Sequence, residues 1–227
     1  MLKTTLPILS ICLATFSFAA NATSQFTLSS TYTENHKRYE VRDLTQSVYV
    51  ADIHWQATEI DVIVTQGHQS QLGKLVINGE QVSAYSPQED ILWQAHRGNK
   101  PLCLPELMPE FALAYLEELK EGEEIRCDGP LLKAKKLAPF TISLHGVTER
   151  GYEIKVGPGS IGMWFFMDAF TFEIDVNQKT MAHFSGLLPA PDPREDEMAY
   201  LYYDGRLHQE YAIATIPQAV FEHGEGR

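Results

Sequence analysis

Asp52 and His54 stand two residues apart in the alternating segment Ser47–Gln56. A carboxylate beside an imidazole is the pairing that orients a ring for base catalysis. Such pairs are also common on solvated sheet faces, and no nucleophile is placed beside this one. Gly157-Pro158-Gly159-Ser160-Ile161-Gly162 fits the spacing G-x-G-x-x-G, but a dinucleotide loop needs a strand before it and a helix after it. Here one short strand pattern precedes an aromatic run with no helical period, so a turn between strands is the expectation. Ser160 also lacks a nucleophile elbow, because Pro158 occupies the position of the first glycine. The eight histidines are scattered, with no H-E-x-x-H and no H-x-H, so no metal site, no cofactor and no catalytic residue is nominated.

The most unusual stretch is Met163-Trp164-Phe165-Phe166-Met167, followed by Asp168-Ala169-Phe170. Alternation lapses there, and both sides of the segment are apolar. One reading is a strand or turn sandwiched inside the fold. The functional reading is a wall of an apolar ligand cavity, because aromatic rings and flexible Met side chains make adaptable linings. On that reading Trp164, Phe165, Phe166 and Phe170 contact the ligand, together with Phe111 and Tyr115 from a helix described below.

The chain has 227 residues, 44% hydrophobic and 21% charged, enough for one substantial core. Its net charge of −12 opposes binding to a phosphate backbone or an anionic bilayer, so nucleic acid is excluded as a partner class. The first residues read as an export signal. Lys3 gives a positive start, Leu6 to Ala20 is apolar, and Ala20-Asn21-Ala22 is the small-x-small pattern at which cleavage is expected, near Ala22. The expected organisation is therefore residues 1–22 as signal peptide and 23–227 as one periplasmic domain with no transmembrane span.

Cleavage removes Lys3 and Cys12, leaving 17 basic and 30 acidic residues, a net of −13, and two cysteines. In an oxidising compartment the pair Cys103 and Cys127 reads as a structural disulfide. The 25-residue loop that it closes contributes about 3.5 kcal/mol on the chain-entropy model.

Positioning falls mostly to strands. Tyr49, Ala51, Ile53 and Trp55 alternate with Asp52, His54 and Gln56, and the period-2 pattern recurs at Ile60, Val62, Val64, at Phe140, Ile142, Leu144, at Tyr152, Ile154, Val156 and at Phe170, Phe172, Ile174, Val176. Asn78-Gly79 and Asp204-Gly205 are hairpin dipeptides, and Asn177-Gln178-Lys179 is a third turn. Ser86–Asp90, Lys133–Pro139 and the Pro-rich acidic Pro189–Glu197 read as loops.

One segment has helical period. Met108, Phe111, Ala112, Tyr115, Leu116 and Leu119 form an apolar stripe between Pro105 and Lys120, with Glu106, Glu110, Glu117, Glu118 and Lys120 polar and Gly122 placed to end it. The early acids suit the helix dipole. The fold class expected is mainly β: a strongly curved antiparallel sheet or incomplete barrel with one amphipathic helix, about 105–120, packed on its apolar face.

The order of features from about Leu104 to Leu188 resembles an uncharacterised family of Gram-negative periplasmic β-rich proteins. The resemblance is carried by Leu104-Pro105-Glu106-Leu107 opening a helix, Gly122-Glu123 stepping into a strand, Pro139-Phe140, an apolar stretch before Phe172-Glu173-Ile174-Asp175, and a Ser185-Gly186-Leu187 close. It implies a periplasmic β-fold with a central helix and carries over no catalytic residue; the cysteine pair and the Pro189–Glu197 stretch lie outside the family pattern. A more distant likeness, at the level of fold only, is to the half-barrel of periplasmic lipoprotein carriers.

The function expected is binding or carriage of an apolar or lipid-like ligand, or of an apolar segment of an envelope protein. The alternatives are a noncatalytic envelope assembly protein with a filled core, and an exported hydrolase built on a spatially assembled site such as Asp52/His54.

Overall fold

A computed structural model describes residues 26–57, 59–131, 135–160, 168–195, 197, 199–207 and 211–222. Residues 1–22, where a signal peptide is expected, and the run 161–167 lie outside the described residues, and with them Trp164, Phe165 and Phe166.

Among the described residues thirteen strands form two antiparallel sheets, each ordered as a meander, and neither closes into a barrel. The first sheet holds β1 (Thr27–Thr33), β2 (His36–Arg42), β3 (Ser47–Gln56), β4 (Glu59–Gln66), β5 (Gly73–Asn78), β6 (Gln81–Tyr85) and β7 (Ile91–His96). The second holds β8 (Ile125–Leu131), β9 (Lys136–Val147), β10 (Gly151–Pro158), β11 (Phe170–Asp175), β12 (Thr180–Pro191) and β13 (Tyr200–Arg206). The mainly β, antiparallel architecture is the one expected, with its strands divided between two sheets.

The alternation places the core as anticipated. Tyr49, Ala51, Ile53 and Trp55 of β3 are buried, as are Ile60, Val62 and Val64 of β4 and Phe172 and Ile174 of β11. Those inner faces, with the helical segment, make one contiguous hydrophobic cluster.

That segment is less regular than its period suggests. A 3-10 turn at Pro105–Leu107 leads into α1 (Met108–Ala114), which breaks at Tyr115 before α2 (Leu116–Lys120). Gly122 ends it as expected, its N–H donating to the Leu119 carbonyl. The stripe residues Met108, Phe111, Ala112, Tyr115 and Leu119 are buried. A short α3 (Gln218–Phe221) packs on them, with the Phe221 ring 5.2 Å from that of Phe111. Cys103 and Cys127 form the expected disulfide, their Cα atoms 5.8 Å apart, joining the segment that enters the helix to β8.

The turns show where local signals yield to pairing. Asn177–Lys179 does turn β11 into β12, the Asp175 carboxylate accepting the Asn177 and Gln178 N–H groups. At Asn78-Gly79 the loop is shifted by one: Asn78 pairs with Gln81, and Gly79 and Glu80 make the connection. The expected hairpin at Asp204-Gly205 does not form. Both residues lie inside β13, opposite Ser185 and Phe184 of β12, because an available ladder outweighs a local turn preference. Of the expected loop Lys133–Pro139, Lys136–Pro139 belongs to β9; of the expected loop Pro189–Glu197, the first three residues belong to β12 and the remaining described ones form the turn from Asp192 on.

Candidate functional site

The two inner sheet faces do not fill the space between them. A cavity of about 590 Å³ is lined from the first sheet by residues such as Leu28, Tyr49, Val62, Leu75 and Trp93, and from the second by Phe140, Phe170, Phe172, Met181 and Phe184. Pro105, Glu106, Met108 and Pro109 of the helical segment also line it. Its size lies within the range of small-molecule sites, roughly 300–1,000 Å³, and such sites pair apolar walls with a few placed polar groups.

Of the polar groups, Tyr39 of β2, Tyr49 of β3, Glu106 and Tyr211 line the cavity; Lys37 and Glu110, bonded to Tyr211 and to the backbone of Glu106 and Ala214, are not among the lining residues. In β2 the side chain of Lys37 points into the fold and is fully buried. Its ammonium donates to the Glu110 Oε1 at 2.7 Å, to the Glu106 backbone carbonyl at 2.9 Å and to the Tyr211 hydroxyl at 3.0 Å. Glu110 Oε1 also accepts the Ala214 N–H at 3.1 Å, whereas Glu110 Oε2 is buried with no partner among the described residues. Glu106 sits one turn before Glu110 and receives the Tyr49 hydroxyl on Oε1 at 2.7 Å. Tyr39 stands edge-on to both Tyr49 and Tyr211, at 5.9 and 6.1 Å between ring centroids.

Burial dominates the ionisation of this group. It pushes the Glu106 carboxyl up, with the Tyr49 hydrogen bond opposing, and it lowers Lys37 against the pull of Glu110. Tyr39, Tyr49 and Tyr211 are all raised by burial.

Of the residues nominated from sequence, Phe170 lines the cavity. Phe111 and Tyr115 lie elsewhere: their rings stack at 4.6 Å, Phe111 meets Phe221, and the Tyr115 hydroxyl donates to Glu222. Asp52 and His54 do share a face, but Asp52 is held by His36 at 3.1 Å and by Arg38 at 3.1 Å, while the His54 ring stacks on His36. Among the described residues a serine–imidazole contact occurs at His68 and Ser70, 2.8 Å apart within one exposed turn. No group of His, Cys, Asp and Glu side chains suited to a metal ion is found among the described residues.

The residues that sequence reading missed are Lys37, Glu106 and Glu110. Glu106 and Glu110 were assigned to the polar side of the helix and to its dipole; both are buried. A faint signal existed, since they precede and interleave the stripe at i, i+4 spacing. Lys37 gave none, being one cation in the polar stretch His36-Lys37-Arg38.

No family model matches the chain, and neither a curated protein nor a solved structure matches it. The family resemblance drawn from motif order thus has no matched model behind it.

Proposed function

We propose that the protein is an exported binding or carrier protein that holds an apolar or lipid-like molecule between its two sheets. The observation that carries this reading is the cavity of about 590 Å³, walled mainly by aliphatic and aromatic side chains. Space of that size inside a hydrophobic cluster forgoes dispersion contacts that a filled core would make. A ligand restores them, and its hydrocarbon leaves water as it enters. The N-terminal run ending at Ala22 supports the exported location.

The test is titration with the neutral fluorescent probe N-phenyl-1-naphthylamine. Saturable binding near one equivalent is expected, with binding abolished in Ala84→Phe, which places a ring on the cavity wall. Absence of saturable binding by the folded wild-type protein overturns the reading, as does undiminished binding by the filled variant.

A further inference from the structure

Glu106 is the only acid among the described residues that line the cavity. Two cations also line it, Lys74 and Lys136. Lys74 is paired with Asp61 at 2.7 Å with its side chain 41% exposed, and Lys136 is exposed. Neither is bonded to Glu106. The nearby buried cation is Lys37, and its three N–H groups are all occupied: by Glu110, by the backbone carbonyl of Glu106 and by Tyr211. Its ammonium is bonded to the Glu110 carboxylate and acts on that of Glu106 only through space, so one cation faces two acids. The Glu106 carboxylate therefore accepts the Tyr49 hydroxyl and its own backbone N–H, and has no cation hydrogen-bonded to it among the described residues, the Lys37 ammonium acting on it only through space. A carboxyl group so placed, lining a mainly apolar cavity and 6% exposed, can accept a further donor.

We infer that the cavity takes a cationic amphiphile, a hydrocarbon chain ending in an amine, seated with its ammonium group on Glu106 and its chain along Phe140, Phe172 and Phe184. The inference rests on the proposed binding function and specifies its ligand class. An ammonium supplies up to three donors and the positive charge that the group Lys37, Glu110 and Glu106 lacks. A hydroxyl head would donate one hydrogen bond without pairing the charge. A carboxylate head would bring a second negative charge against Glu106, in surroundings where like charges repel strongly.

The experiment is displacement of N-phenyl-1-naphthylamine from the whole mature protein by decylamine, decanol and decanoate at neutral pH, below their aggregation limits. Decylamine is expected to displace at a concentration lower than decanoate by roughly tenfold or more, with decanol between them. In Glu106→Gln the advantage of decylamine over decanol should vanish. Decanoate equalling or surpassing decylamine in the wild type overturns the inference, a comparison that needs no variant to fold. So does an amine preference that survives in Glu106→Gln. Decanol displacement with no amine preference overturns the ligand class alone and leaves the cavity function standing, whereas failure of the probe itself to bind overturns both.

Discussion

Lys37 Nζ lies 2.7 Å from Glu110 Oε1, and both side chains are sealed from solvent, so a strand near the start of the described chain and a helix 73 residues later are joined by a buried ion pair. The pair anchors the first turn of α1 on β2 and thereby sets where Glu106, one turn earlier, meets the cavity. Desolvation of two charges is costly, and the Coulombic gain offsets it only when further hydrogen bonds complete the geometry. Here the Tyr211 hydroxyl, the Glu106 carbonyl and the Ala214 N–H provide all but one of them, Glu110 Oε2 having no partner among the described residues.

Removing one partner should therefore be worse than removing both. Lys37→Met leaves the Glu110 carboxylate buried without a cation and is expected to cost about 3–5 kcal/mol, read by denaturant unfolding. Lys37→Met combined with Glu110→Met should recover most of that loss. A double variant as unstable as the single one would mean that the polar group is needed for its shape, not its charge balance.

The disulfide should act mainly on the unfolded chain. Cys103→Ser with Cys127→Ser opens a loop spanning a sequence separation of 24, and the chain-entropy model gives a loss of about 3.5 kcal/mol. The same loss should follow reduction of the wild type by dithiothreitol, measured in the same unfolding experiment. The serine variant should be indifferent to the reductant.

The strands were legible because alternation at Tyr49–Trp55 and Ile60–Val64 reports a face, and each face needs only to be turned inward. The division into two sheets was not, since nothing local distinguishes a strand that continues one meander from a strand that opens another. The Asp204-Gly205 dipeptide failed for a related reason: β12 offers ladder partners 19 and 21 residues away, Ser185 and Phe184, invisible to a four-residue window. The candidate site was less legible still. Phe170, nominated with its apolar neighbours, lines the cavity, but Glu106 and Glu110 wear the composition of a wet helix face. Only the approach of β2 and β3, bringing Lys37 and Tyr49, makes them interior residues.

Gly186 of β12 should prove sensitive for reasons of contact and of backbone together. Its φ is +148°, and a Cβ placed there would come 2.1 Å from the Phe170 Cβ. Gly186→Ala must therefore shift either β12 or the ring of Phe170 on the cavity wall. Overpacking of this kind costs about 1–3 kcal/mol. A lower thermal midpoint is expected together with weaker naphthylamine probe binding. An unchanged midpoint would show that the strand relaxes freely at this position.

The last prediction concerns pH and turns on Glu106. Burial raises its carboxyl above the ordinary value of 4.5, the Tyr49 hydroxyl opposing the shift only in part. Between the ordinary value and the raised one, the folded chain holds a proton that the unfolded chain has released. Stability must fall as pH rises through that window, then level off once the folded carboxyl ionises. Lys37 has the opposite sign. Its folded value is lowered, so between that value and 10.5 the unfolded chain holds the extra proton and stability rises with pH. Tyr39, Tyr49, Tyr200 and Tyr211 are raised from an ordinary value of 10.0, away from the acid window, and Glu110 is common to both proteins compared. Glu106→Gln isolates the carboxyl by replacing it with a neutral group of the same shape. The thermal midpoint of the variant minus that of the wild type should increase as pH rises from below 4.5, then reach a plateau. A difference independent of pH would show that Glu106 ionises in the fold as it does in water, and that the cavity admits enough solvent to screen it.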